Sequence, residues 1–200
     1  MLSSNDDSKG VHMSDSTRKH KETRSVRIEP ATPEDAGPLT VIQGRAFHDD
    51  IRFIPPEDWQ CILEAKDPSQ GPPGVTDIDW TRRVIEHPDT VYYKILLGDR
   101  LVGGVIVADA PKYSDENFWR IFIEPVYQNR GIGTEAFRQI YRLHPNVEAW
   151  RLGTPEWATR NHHFYESVGF RLLEIRPAGD EWFRGYEYIN DSPQEERLKL

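Results

Sequence analysis

The chain of 200 residues contains one cysteine, Cys61. No internal disulfide can form within it, and a zinc site built on cysteine would lack its ligands. The composition suits a reducing cytosol, so a cytoplasmic setting and no metal are expected. Positive charge is also scarce, with 25 Lys and Arg against 33 Asp and Glu and a formal net charge of -8. Non-specific binding to phosphate backbones rests on clustered cations, so nucleic acid is not an expected partner. Long apolar runs are missing from Met1 to Arg24, which is almost wholly polar or charged and offers neither a signal-peptide core nor a membrane span. No membrane partner is expected.

What remains is enough for one domain with a real core. Residues 1–24 are read as a disordered tail, 25–189 as a single folded domain and 190–200 as a polar tail. Met13 marks either an alternative start or the joint of an added leader. Ser25 to Glu29 alternates with the period of a strand. Thr32-Pro33-Glu34-Asp35 then supplies a cap, a proline at the first helical position and early acidic residues, predicting a helix that ends near His48. Asp49 to Gly74 reads as a short helix and loops around Pro55-Pro56 and Pro72-Pro73, and Trp80 to Ile85 as another helix.

Val91 to Leu97 and Leu101 to Ala108 are apolar, β-branched runs joined by Gly98-Asp99-Arg100, the pattern of an antiparallel hairpin. Asn117 to Ile123 is apolar almost throughout except at Arg120, predicting a central strand with helices over both faces. Ile132, Ala136, Phe137, Ile140 and Tyr141 recur at helical spacing. Ala149 to Gly153 is a strand, Asn161 to Val168 a short helix closed by Gly169, and Phe170 to Ile175 and Trp182 to Tyr188 two last strands. This order predicts a mixed α/β fold with a mostly antiparallel sheet of six or seven strands. It does not suit a plain doubly wound nucleotide fold.

Gly131 and Gly133 lie between a buried strand and the head of an amphipathic helix. Glycine allows close backbone approach, and the first turn of a helix carries unpaired N–H groups and a positive dipole end, so such a turn can hold a pyrophosphate. Arg130 adds a charge beside it. Neither a third glycine nor a Gly-Lys-Ser/Thr follows, so the turn is neither a dinucleotide fingerprint nor a P-loop. Taken alone it fits a plain tight connection with no ligand better than a phosphate site. Asn161 and Tyr165, four residues apart, share one face of the later helix. A tyrosine hydroxyl with an ordinary pKa of about 10 can stay protonated and protonate a leaving thiolate. An amide side chain can pair with the amide of a cofactor arm. Core packing for Tyr165 and helix capping for Asn161 are the competing readings.

Two segments together resemble the GNAT superfamily of N-acetyltransferases. The stretch Ile123-Glu124-Pro125-Val126-Tyr127-Gln128-Asn129-Arg130-Gly131-Ile132-Gly133 is similar to the acetyl-CoA signature of that family. The stretch Asn161-His162-His163-Phe164-Tyr165-Glu166-Ser167-Val168-Gly169-Phe170 is similar to its tyrosine-bearing segment. The resemblance covers roughly Val26 to Ile175. It implies that the strands Asn117 to Ile123 and Ala149 to Gly153 splay apart around a pantetheine arm lined by Phe122 and Ile123. The amides of Gln128, Asn129, Arg130, Gly131, Ile132 and Gly133 would hold the pyrophosphate, with Asn161 also at the cofactor. Tyr165 would protonate the departing sulfur, and a strand N–H near Phe122 or Ile123 would stabilise the oxyanion. The implied activity is direct transfer of acetyl from acetyl-CoA, as cosubstrate, to an amine on a small molecule or peptide, by a monomer or homodimer. A non-catalytic acyl-CoA-binding or protein-interaction module of the same fold is the alternative.

No general base is assigned. Many family members carry a carboxylate on the strand before the glycine turn, where this chain has Arg120; Asp115 and Glu116 lie at its edge and Glu124 beyond its end. The segment Phe47 to Trp80 corresponds to the part of the family that shapes the acceptor pocket. It carries Asp49, Asp50, Glu57, Asp58, Asp77 and Asp79 among Phe53, Trp59 and Trp80. That mixture fits a cationic amine, and it fits a solvated acidic face as well. His162 and His163, adjacent on a helix, point apart and have no partner at ligand spacing. Trp157 reads as core or hinge packing, or as a wall of the cofactor arm.

Overall fold

A computed structural model describes residues 25–53, 72, 74–108, 116–178 and 181–189. The two expected tails, the cluster Glu57, Asp58 and Trp59, and Asp115 lie outside the described residues. Strands β1 (Val26–Pro30), β2 (Thr90–Leu97), β3 (Arg100–Ala108) and β4 (Phe118–Ile123) form one antiparallel sheet in that order. Strands β5 (Ala149–Pro155), β6 (Arg171–Ala178) and β7 (Glu181–Ile189) form a second antiparallel sheet, ordered β5-β7-β6. The helices are α1 (Ala36–Asp50), α2 (Ile78–Glu86), α3 (Ile132–Leu143) and α4 (Thr159–Ser167). The expected mixed α/β fold with helices on both faces is therefore present, as seven strands in two sheets. None of the described helices is long and apolar enough to cross a membrane.

Local chemistry accounts for the helix starts. Asp35 accepts the Thr32 N–H at 2.8 Å and closes a capping box over a single 3-10 turn, Pro33–Asp35, ahead of α1. The Asp77 carboxylate accepts the Trp80 N–H at 3.0 Å. This cap sets α2 two residues upstream of the start expected from its apolar spacing. Helix α4 also begins early, at Thr159, so Asn161 sits inside its first turn and does not cap it. Gly169 takes the left-handed conformation just past α4, φ 102°.

Strand β4 divides the core. Phe122 packs with Leu39 and Ile42 of α1 and with Tyr92 and Ile106. Phe118, Ile121 and Ile123 face the opposite layer, where Ile132, Ala136, Phe137 and Ile140 of α3 meet Trp150, Phe170 and Tyr186. Phe118 sits edge-on to both Phe137 and Trp150, at 5.8 and 6.1 Å between ring centroids. Trp119 departs from the expectation of a fully covered strand. It is 46% exposed, with its indole N–H donating to the Glu116 carbonyl at 3.1 Å.

The two sheets are stitched together by Asn117, immediately before β4. Its backbone N–H donates to the Arg151 carbonyl at 3.0 Å. Its side-chain oxygen accepts the Arg151 N–H and its side-chain nitrogen donates to the Ala149 carbonyl, both at 2.8 Å. Beyond this residue β4 and β5 share no ladder among the described residues. Asn117→Ala removes both side-chain bonds and leaves two half-buried peptide groups of β5 unpaired. Chemical denaturation should show a loss of about 1–3 kcal/mol, with the far-UV spectrum of the native state retained.

Candidate active site

Where β4 and β5 part, β4 exposes a backbone edge. The Glu124 N–H donates to the Val102 carbonyl at 2.8 Å, and Phe122 lies opposite Gly104 in the register. By antiparallel alternation the N–H and C=O of Phe122 therefore face β3, and those of Ile123 face the opening. The two residues expected to line the arm, Phe122 and Ile123, are thus placed differently. Phe122 contributes a buried ring to the α1 layer, and only Ile123 turns its peptide groups outward. The Ile123 carbonyl accepts the Gln128 side-chain N–H at 2.8 Å, which ties the following turn to the mouth of the opening.

The turn is built from left-handed residues. Asn129 has φ 58° and Gly131 has φ 75° and ψ 2°, and Gly131 directly precedes α3. The first bond into α3 runs from the Glu135 N–H to the Gly131 carbonyl at 3.0 Å. The N–H groups of Ile132, Gly133 and Thr134 thus lie ahead of the helical ladder, at its positive end. Gln128 behaves differently from the rest of the turn. Its N–H donates to the Pro125 carbonyl at 3.2 Å and is engaged, while its side-chain oxygen accepts a short hydrogen bond from Arg160. It braces the turn, in contrast to the expected use of its amide on a phosphate.

Two guanidinium groups flank this amide cluster. Arg130 lies 5.5 Å over the Tyr127 ring, and Arg100, at the tip of the β2–β3 hairpin, donates to the Tyr127 hydroxyl at 2.7 Å. Neither pairs with a carboxylate among the described residues, so a local positive field survives in a chain of net negative charge. Arg100 escaped the sequence reading because its approach to Tyr127 is tertiary, 27 residues apart.

The second glycine has a separate task. A Cβ on Gly133 would stand 3.0 Å from the Phe164 ring, so its absence lets α3 and α4 approach closely. Phe164 in turn lies beside Tyr165, with ring centroids 5.3 Å apart. Tyr165 is buried, 8% exposed, among Phe170, Tyr186 and Phe164. Burial raises its pKa above the ordinary tyrosine value, as does the charge of Asp50, while Arg120 acts in the opposite sense. The hydroxyl therefore stays protonated through any ordinary working pH. It has no hydrogen-bond partner among the described residues. Asn161, one turn away on α4, is half-buried.

Near the end of β5 and just past it lie two polar atoms that are buried and unpartnered among the described residues, Thr154 Oγ1 and Trp157 Nε1. Buried donors of this kind fit a ligand rich in amide carbonyls. Across the opening, the half-buried Arg120 lies on the α1 side, donates to Gln43 at 3.1 Å and lies 5.4 and 5.0 Å from the Phe47 and Trp80 rings. Burial lowers its pKa to about 10, so it remains a cation. His162 is buried against Tyr186 with Nε2 3.0 Å from the Pro155 carbonyl, and burial lowers its pKa. This is a packing role. His163 is exposed.

An acetyltransferase (GNAT) domain family model matches residues 88–172, a span that contains the parted strands, the turn and Tyr165. The match to a GNAT domain is thus confined to that span, which is less than half of the chain. The YrkN protein of Bacillus subtilis (strain 168) is 31% identical over 89 residues, covering 44% of this chain and 48% of YrkN. The match thus spans about half the length of that curated relative. Among solved structures, a GCN5-related N-acetyltransferase from Rhodopseudomonas palustris aligns with a TM-score of 0.63 at 14% identity, covering 86% of this chain and 99% of that one. The PaiA N-acetyltransferase of Thermoplasma acidophilum, solved with coenzyme A, aligns with a TM-score of 0.58 at 15% identity, covering 82% of this chain and 99% of its own. Identities this low speak for the shared GNAT fold alone.

The Gly133–Phe164 approach is directly testable. Gly133→Val should cost about 1–3 kcal/mol by overpacking, and Phe164→Leu in the same chain should recover part of that loss in a double-mutant cycle. Strictly additive losses would show that the two positions do not meet.

Proposed function

We propose that this GNAT domain transfers an acetyl group from acetyl-CoA directly to an amine on a small molecule or peptide. The observation that carries this reading is the cluster of unladdered N–H groups at residues 132–134, held by the left-handed Asn129 and Gly131 at the mouth of the opening between β4 and β5. Such a cluster favours a diphosphate by both hydrogen bonding and dipole. Arg130 and the neighbouring Arg100 add charge. In this account the amides of Asn129 to Gly133 grip the pyrophosphate, with Gln128 as their brace. The open edge of β4 at Ile123, its carbonyl already held by Gln128, and the side chain of Asn161 line the thioester end of the pantetheine arm. A cytosolic setting goes with the reading, in keeping with the single cysteine.

Catalysis then needs little movement of the protein. The Ile123 N–H, turned into the opening, is available to the oxygen that becomes negative as the amine attacks the thioester carbonyl. The Tyr165 hydroxyl, kept protonated by its surroundings, donates toward the sulfur as the carbon–sulfur bond breaks. It regains a proton from the attacking nitrogen, so the tyrosine returns to its starting state.

Tyr165→Phe should lower kcat by roughly 100-fold or more with a small change in acetyl-CoA affinity, the range for loss of a general acid. Gly131→Glu should weaken acetyl-CoA binding at least about 10-fold, because a side chain is strained by about 1–2 kcal/mol at this positive φ and its carboxylate would face phosphate. Calorimetric titration with acetyl-CoA and thiol release over an amine panel measure both effects. Tight binding with no amine-dependent thiol release would instead favour the non-catalytic acyl-CoA-binding module.

A further inference from the structure

The middle of β4 holds a cation, Arg120, and the acetyl-transfer reading leaves the proton of the acceptor ammonium without a destination. The end of α1 supplies one. Asp49 and Asp50 lie side by side there, partly buried, with side chains 13% and 19% exposed. Their partners differ. Asp49 is held by Arg160 at 3.4 Å and, more tightly, by Arg52. Asp50 has only one long ion pair, 3.5 Å to Arg160, among the described residues. Arg160 also donates to Gln128, whose side chain is bonded to the open-edge carbonyl of Ile123. One arginine thereby ties Asp50 to the mouth of the opening, and the charge of Asp50 is felt by Tyr165.

We propose that Asp50 is the general base that deprotonates the acceptor amine, opposite the proton donor Tyr165. The inference rests on the acetyl-transfer reading and names the group which that reading lacks. The acceptor arrives as R–NH3+, and one N–H bond breaks as its proton passes to a carboxylate oxygen of Asp50. The freed lone pair forms the carbon–nitrogen bond to the thioester carbonyl. When the carbon–sulfur bond breaks, the sulfur takes the Tyr165 proton and the nitrogen gives one back to the tyrosine. Asp50 then releases its proton to water, so each turnover yields amide, free thiol and one proton.

The groups around Asp50 suit this task. Arg160 faces it from α4, Asp49 and Arg52 accompany it on its own segment, and the charges of Asp50 and Arg120 act in opposite senses on the Tyr165 hydroxyl. Burial, reinforced by Asp49 and opposed by Arg160, raises the Asp50 pKa to about 6. The carboxylate is ionised at neutral pH and is a stronger base than an exposed aspartate.

The test uses the full chain, acetyl-CoA and two classes of probe amine: peptides whose free α-amino group has a pKa near 8, and Nα-acetyl-lysine amide, whose amine lies near ~10.4. Wild type should release thiol with at least one probe, and kcat/KM should show an acidic limb rising as pH passes about 6. Asp50→Asn should lower kcat by roughly 100-fold and abolish that limb, with the acetyl-CoA Kd and melting temperature little changed. Asp49→Asn should keep the limb. If wild type turns over and Asp50→Asn retains both its rate and its limb, the base assignment is overturned and acetyl transfer stands. If wild type binds acetyl-CoA but releases no thiol with any probe, the acetyl-transfer reading falls, and the base with it.

Discussion

The architecture turns on how β4 and β5 are joined at one point and kept apart beyond it. Asn117 makes that junction with three bonds, one from its backbone and two from its side chain, all at 3.0 Å or less. A strand edge left unpaired inside a protein carries a free-energy cost unless something else meets its N–H and C=O groups. Here the Ile123 carbonyl is met by Gln128 and its N–H is left toward the opening. The fold creates a row of peptide groups that an extended, amide-bearing ligand can complete as an added strand would. The α3 dipole stands at one end of that row and the buried tyrosine of α4 beside it.

Charge divides this opening by sign. Around the turn, Arg100 and Arg130 lean on Tyr127 and create a positive field in a chain whose formal net charge is -8. At the end of α1, Asp49 and Asp50 share Arg160 and present the opposite sign. Charge of opposite sign thus lies on either side of the opening, and Gln128 with Arg160 connects the two.

Much of this was legible in the sequence, for reasons that are local. Strand alternation, the Thr32–Asp35 capping box, the left-handed glycines at 131 and 169 and the amphipathic α3 all follow from neighbours within a few positions. What was missed depends on register and on distant partners. Apolar spacing says that Phe122 and Ile123 are buried but not which peptide faces β3. The engaged amide of Gln128 follows from the 3-10 turn at Pro125–Tyr127, and the start of α2 from the Asp77 cap. Asp50 was visible only as one member of an acidic segment. Its ion pair with Arg160 exists only once α1 and α4 are brought together.

The proposed site for coenzyme A runs without a break from the left-handed turn to the open edge of β4. Backbone amide chemical shifts recorded while coenzyme A is titrated into the isotopically labelled protein test it most directly. The largest changes are expected at the amides of residues 129–134, with a second group at Ile121 and Ile123 and little change along β1 or at the α2 cap. Saturable shifts centred elsewhere, or no shifts at the turn at millimolar coenzyme A, would contradict it.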